Sequence, residues 1–193
     1  LEGTEFSFKS HRDMFISLLG LYQTQNASNV LTAVDILIEN GYSISEDAIK
    51  NGLASAKWCA RFEIICKDPL VIYDGAHNPQ GVDNAVLSIK QYFGDTKVCI
   101  LSGVMRDKDY NYMAGRICTV AERVFTVTPD NPRSLPAGEY AEVFESMGVS
   151  AQGFDSMEAA VNAAKEYAKN KGKALVCLGS LYMYGEVFNC VTK

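Results

Sequence analysis

The sequence has no Cys-x-x-Cys pair among its six cysteines, and its two histidines, His11 and His77, lie far apart. That spacing argues against a structural zinc site and against a disulfide framework. Cysteines sit in apolar runs such as "VCILSG" and "ALVCLG". They read as reduced core thiols, and the expected setting is cytoplasmic. No basic-then-apolar leader opens the chain, and no apolar run is long enough to span a bilayer. Positive charge is not in excess: Lys and Arg number 18, Asp and Glu 23, for a net charge of −5. A protein devoted to nucleic acid is therefore not expected, although a local basic site for an anionic ligand is compatible with that balance. Internal repeats, low-complexity tracts and a Gly-Lys-[Ser/Thr] phosphate loop are also missing.

What is present divides near Trp58. In the first part, "TEFSFKS" alternates like the end of a strand. "LLGLYQTQNASNVLTAVDILIENG" places Ala27, Val30, Leu31, Val34 and Leu37 on one helical face, with Gly41 as a stop. Ser43 and Glu46 are spaced as a capping box for a second helix. Two helices and a strand end do not close a core. Residues 1–57 are expected to be the tail of a larger domain, and the start at Leu1 suggests a piece of a longer protein.

From residue 58 to 193, strands and helices alternate. "RFEIIC" and "LVIY" are expected strands around Asp68-Pro69. "NPQGVDNAVLSIKQYFG" is an expected helix, with Pro79 in its first turn and a stripe of Val82, Ala85, Val86, Ile89 and Phe93. The pattern continues with strand "KVCILSGV", helix "YNYMAGRICTVAE", strand "RVFTVT", helix "AGEYAEVFESMG", a short strand near "VSAQ", helix "MEAAVNAAKEYAKN", strand "KALVCLGS" and a last helical stretch "YMYGEVFNC". Continuous apolar strands between amphipathic helices imply an α/β fold, doubly wound around a mostly parallel sheet. Ligands of such sheets gather at the carboxyl ends of the strands. Four loops should open there: "DGAHNP", "GVMRDKD", "TPDNPRS" and "GSLY". In the first, Gly75 frees the backbone to turn and Asn78 can cap the helix begun by Pro79. The residues alone leave two readings open. The turn either only initiates a helix, or it projects Asp74 toward a ribose hydroxyl and His77 toward a carboxylate or phosphate.

"DGAHNP" closely resembles a signature of the folylpolyglutamate synthase and dihydrofolate synthase family, within the ATP-dependent Mur ligase superfamily. Further stretches match in order. "LLGLYQTQNA" resembles the family's G-x-x-Q-x-x-N-A, and "WCARFE" its W-P-G-R-F-E. "GVMRDKD" resembles its glycine-then-DKD turn, and "GSLYMYGEV" its G-S-L-Y-x-x-G-E-V. The matches run from about residue 18 to residue 187. The resemblance implies a Rossmann-like C-terminal domain over 58–193, preceded by the helical remnant of an ATPase domain over 1–57. It implies a ligase in which ATP phosphorylates a folate carboxylate and L-glutamate attacks the acyl phosphate. By the same resemblance Asn26, Arg61 and Asp74 would bind ATP. His77 would be catalytic and, with Ser180 and Tyr182, would bind glutamate. Asp107, Lys108 and Asp109 are candidate site-lining residues.

ATP and Mg²⁺ are the implied cofactors. Metal ligands, the phosphate loop and the folate pocket belong to the N-terminal ATPase domain, the implied partner, so this chain alone should be inactive. A Mur-type cell-wall peptide ligase and a non-catalytic α/β nucleotide- or protein-binding module are the alternatives. The sequence departs from the pattern at Cys59-Ala60, where the family carries proline and glycine. Alanine enters the left-handed backbone region less readily than glycine, which bears directly on the placement of Arg61.

Overall fold

A computed structural model describes residues 1–192. The chain forms two compact units, Leu1–Arg61 and Phe62–Lys193. The first contains an antiparallel hairpin of β1 (Thr4–Phe8) and β2 (His11–Ile16), then α1 (Tyr22–Glu39) and α2 (Glu46–Ala54). Its core is Met14, Ile16, Ala27, Leu31, Ile49 and Leu53. The sequence pattern suggested one strand end here. The partner β2, "HRDMFI", escaped notice because three polar residues precede its buried ones, so it lacks clean alternation. The α2 cap is Ser45, whose side chain accepts from the Ala48 amide, rather than Ser43. On α1, Ala27 and Leu31 are buried and Val34 is half-buried. Val30 and Leu37 are 52% and 42% exposed, so the buried stripe is narrower than the apolar one.

The second unit is a six-stranded sheet in the order β3-β4-β8-β5-β6-β7. Its strands are β3 (Glu63–Lys67), β4 (Leu70–Tyr73), β5 (Val98–Ser102), β6 (Ala121–Val127), β7 (Ala151–Phe154) and β8 (Leu175–Leu178). Only β3 runs antiparallel to its neighbour. The helices are α3 (Pro79–Phe93), α4 (Tyr110–Cys118), α5 (Ala137–Ser146), α6 (Met157–Lys171) and α7 (Tyr184–Thr192). The expected α/β architecture is thus the observed one. Every residue of β5 and β8 is buried, as continuous apolar strands between two helical layers should be. The chain steps outward from β4 through β5 and β6 to β7, then returns to insert β8 between β4 and β5. Right-handed crossovers then place α3, α4 and α5 on one face and α6 on the other. Packing of α3 on α4, α4 on α5 and α6 on α7 agrees.

Local chemistry explains most element boundaries. Asn78 caps α3 by accepting from the Gly81 amide at 2.8 Å; of the expected stripe Val82, Ala85, Val86 and Ile89 are buried, while Phe93 in the last turn is only half-buried. Ser156 caps α6, and Gly172 closes it at φ 61°. The expected helix through "TVAE" ends sooner. Cys118 is its last residue and Ala121 already begins β6, because Val124 and Phe125 must lie within the sheet. Among the described residues no helix is long and apolar enough to cross a membrane.

The sheet closes most tightly where β5 and β8 end. Gly179 has φ +115°, and a Cβ there would lie 2.5 Å from the Gly103 carbonyl oxygen and 2.8 Å from Ser102 Oγ. A Cβ on Gly103 would meet the Val127 carbonyl oxygen at 2.7 Å. Gly179→Ala combines a disfavoured backbone angle with a clash against rigid backbone. It is expected to cost at least about 2 kcal/mol, read as a lower urea midpoint with an unchanged slope.

Candidate functional site

The switch point of the sheet lies where β8 enters between β4 and β5, and the loops that follow these strands meet there. Asp74 ends β4. Its amide donates to the Cys177 carbonyl at 2.9 Å, continuing the β4–β8 ladder. Its side chain is 3% exposed. One carboxylate oxygen accepts from the Ala76 amide at 2.8 Å, the other from the Phe62 amide at 3.0 Å. The first bond closes a tight side-chain turn. The second fastens the start of the β3 hairpin to the end of β4. Asp74 is therefore a structural pin as well as a candidate ligand.

The turn fixes His77. Its Nδ1 lies 2.8 Å from the Gly75 carbonyl oxygen. A carbonyl can only accept, so Nδ1 carries the proton, and in the neutral ring Nε2 keeps its lone pair. Across the crevice, the Gly179 amide donates to the Ala76 carbonyl at 2.8 Å. Ser180 follows, 2% exposed. Its Oγ accepts from the Tyr182 amide at 3.2 Å, capping a 3-10 turn over Leu181–Met183. The Ser180 carbonyl accepts from the buried Tyr73 hydroxyl at 2.6 Å. Burial raises the Tyr73 pKa, keeping that phenol a donor. The Ser180 hydroxyl proton remains available to a ligand.

These elements surround a cavity of about 290 Å³, lined by His77, Met105, Lys108, Arg133, Ser180, Leu181 and Tyr182. Small-molecule pockets run from roughly 300 Å³ upward, so this one suits a ligand of amino-acid size. Two permanent cations, an imidazole and a hydroxyl line it, which favours a carboxylate-bearing guest. Of the expected residues, His77, Lys108, Ser180 and Tyr182 come together here. Arg133 is an addition. "TPDNPRS" was recognised as a strand-end loop, but no rule of spacing distinguished its arginine from a solvated charge. Asp109 instead caps α4, accepting from the Tyr112 amide at 3.1 Å. Asp107 pairs with Arg133 at 3.3 Å rather than lining the cavity.

Asn26 and Arg61 belong to the first unit. Asn26 lies in the first turns of α1 and donates to Gln23 Oε1 at 2.9 Å, which orients its amide. Arg61 donates from Nη1 to the Ala60 carbonyl at 3.0 Å. Its flanking residues are strained: Ala60 has φ 56° and Phe62 φ 45°. Alanine thus adopts the left-handed angle that the family's glycine would take without cost. At Phe62 the compensation is visible. Its ring is fully buried 5.4 Å from Tyr92, and its amide is held by Asp74.

An α/β domain with a cavity at its switch point, lined by a lysine, an arginine, an imidazole and a hydroxyl, is what the fold and site define. Residues 60–181 match the family described as Mur ligase, glutamate ligase domain, and the chain belongs to that family. The dihydrofolate synthase/folylpolyglutamate synthase of Bacillus subtilis is 30% identical over 190 residues, covering 96% of this chain and 44% of that protein. Escherichia coli FolC in complex with ADP is similar in structure, with a TM-score of 0.81 and 26% identity over 96% of this chain and 43% of that one. The bifunctional folylpolyglutamate synthase/dihydrofolate synthase of Yersinia pestis, complexed with AMPPNP and a Mn ion, gives 0.77 and 26% over 93% and 41%. The chain spans less than half the length of these relatives.

The strain at Ala60 has a measurable sign. Ala60→Gly is expected to raise stability by about 1 kcal/mol, because a left-handed alanine costs roughly that much. Chemical denaturation of the two forms checks it.

Proposed function

We propose that this chain is the amino-acid-accepting part of an ATP-dependent ligase that adds L-glutamate to folate. The full protein would be a tetrahydrofolylpolyglutamate synthase, with dihydrofolate synthase activity as the sister reaction on dihydropteroate. One observation carries the reading: a cavity of amino-acid size joins Lys108, Arg133, His77 and Ser180 at the switch point. The relatives' names, which pair folate with glutamate addition, support the choice of substrates.

In this reading residues 1–57 are the C-terminal remnant of an ATPase domain, and residues 58–193 form the glutamate ligase domain. The ATPase domain itself supplies the phosphate loop and the folate pocket. ATP phosphorylates a folate carboxylate, giving an acyl phosphate. Arg61 answers the nucleotide's phosphates, Asn26 contacts the nucleotide, and Asp74 binds it at the ribose. Mg²⁺ would neutralise phosphate charge. Among the described residues no group of three or more His, Cys, Asp or Glu side chains could hold a metal ion, so no step here is assigned through one.

Glutamate enters with its carboxylates toward Arg133, Lys108 and the Ser180 hydroxyl, while Tyr182 covers the mouth. Its ammonium must lose a proton before it can attack. The Nε2 lone pair of His77, fixed by the Nδ1 bond to Gly75, is the group placed to accept that proton. Attack by the amine forms the new C–N bond, and inorganic phosphate leaves with the electron pair of the broken C–O bond. A cytoplasmic setting is part of this reading. The expected core thiols are Cys99 and Cys177, which are buried, whereas Cys66, Cys118 and Cys190 are half-buried and Cys59 is exposed.

The test uses the intact protein that carries this chain. ADP formation should depend on both a reduced folate and L-glutamate. His77→Ala is expected to lower kcat by about a hundredfold or more, the usual scale of a lost proton acceptor. Arg133→Ala should instead raise the KM for glutamate by at least about tenfold with a smaller change in kcat. Asp74→Ala is a poorer probe, because it also strips two backbone amides of their acceptor. Turnover supported by a UDP-linked peptide in place of folate would reassign the substrate, and no glutamate dependence would remove the reading.

A further inference from the structure

Asp107 lies just outside the cavity, yet one of its oxygens serves two of the cavity's cations. Oδ2 is 3.3 Å from Arg133 Nη1 and 3.7 Å from Lys108 Nζ. Taken alone, a half-exposed ion pair of this kind contributes little, because ordering two long side chains offsets the attraction. Here the backbone has already done most of the ordering. The Arg106 amide donates to the Arg133 carbonyl at 2.7 Å, and the Leu135 amide to the Val104 carbonyl at 2.9 Å. Met105 and Ser134 form an antiparallel bridge between them. A second ion pair, Arg106 with Glu139 at 3.1 Å, ties the loop after β5 to the first turn of α5. Within the Arg133 loop, the Arg133 amide donates to Asn131 Oδ1 at 3.0 Å and Ser134 Oγ to the Pro129 carbonyl at 2.7 Å. The loops after β5 and β6 are thus laced together, and Asp107 faces Arg133 from a fixed base.

We propose that Asp107 is a positioning residue for the glutamate subsite: its shared carboxylate oxygen holds Arg133 and Lys108 side by side, converging on the cavity. Without it Lys108 and Arg133, two like charges lining one cavity, would lose the carboxylate they share. Like charges repel, and long side chains free to turn outward do so. Arg133 keeps spare donors for a ligand while bound to Asp107, since that bond uses only Nη1 of a five-donor fork. Asp107 therefore need not leave when a dicarboxylate amino acid arrives. Its effect is on the affinity for glutamate, not on the chemical step. It holds the cations at a spacing that a second carboxylate can use.

This role rests on the glutamate-ligase reading, so the experiment first establishes that reading in the wild-type intact protein. Steady-state kinetics are then compared for Asp107→Asn and Asp107→Glu, with ATP, reduced folate and L-glutamate varied in turn. Asp107→Asn keeps the shape and removes the charge. Its KM for glutamate is expected to rise about fivefold or more, the scale of one ordered ion pair. The KM for ATP should stay put, and kcat at saturating glutamate should change by about twofold or less. Asp107→Glu restores the carboxylate and should recover most of the lost affinity. A merely structural role would move kcat and both KM values together and would not be rescued by glutamate. A glutamate KM in Asp107→Asn equal to or below that of the wild type overturns the proposal, a fall marking Asp107 as a competitor for the cations. Absence of glutamate dependence in the wild type itself overturns the underlying reading, and this proposal with it.

Discussion

Between the ends of β5 and β8 there is no room for a side chain. A methyl group on Gly179 would strike the Gly103 carbonyl oxygen, and one on Gly103 the Val127 carbonyl oxygen at the end of β6. This contact sets the spacing of everything above it. With β8 seated, Gly179 donates to Ala76 and so holds the turn that carries His77. The next residue, Ser180, is drawn down until its carbonyl meets Tyr73. The 3-10 turn that carries Tyr182 starts from there. The loops after β4, β5 and β8 are thus tied together by backbone contacts beneath the cavity they help to line.

The second constraint is electrostatic. The Asp74 carboxylate is buried with two backbone amides as partners. Such a group is costly to bury unless hydrogen-bonded, and here one bond extends the β3–β4 pairing beyond Glu63 and Tyr73 while the other closes the turn that follows. The same residue that the nucleotide reading needs thereby also maintains the local backbone. Strain at Phe62 is tolerated because burial of its ring and the bond to Asp74 offset it.

Much of this was legible in the sequence. Continuous apolar strands alternating with striped helices dictated the layered α/β fold, and strand-end loops pointed to the correct edge of the sheet. Ser180 and His77 could be named because their motifs are short and local. Other features depend on tertiary context. The β2 strand pairs through its backbone and carries too many polar side chains to alternate. "TVAE" has the composition of a helix and is claimed by the sheet. Arg133 becomes part of a site only when the loops after β5 and β6 lie together, a fact no local pattern encodes. The "DKD" stretch divides into three roles. Asp107 faces Arg133, Lys108 the cavity, and Asp109 its own helix, because one turn separates their directions. Ala60 shows the converse case, a departure from the motif that sequence marked as awkward and that the backbone accommodates at φ 56°.

The position of β8 has a further consequence for biosynthesis. It is a central strand and also, among the described residues, the last strand of the sheet in chain order. During translation β4 and β5 are made long before the strand that belongs between them. Until it emerges, their inner edges are unpaired, and bare edges invite pairing with other chains. The sheet cannot be completed until Leu175–Leu178 leave the ribosome. A product that stops before β8 therefore lacks the middle of the sheet rather than one of its edges.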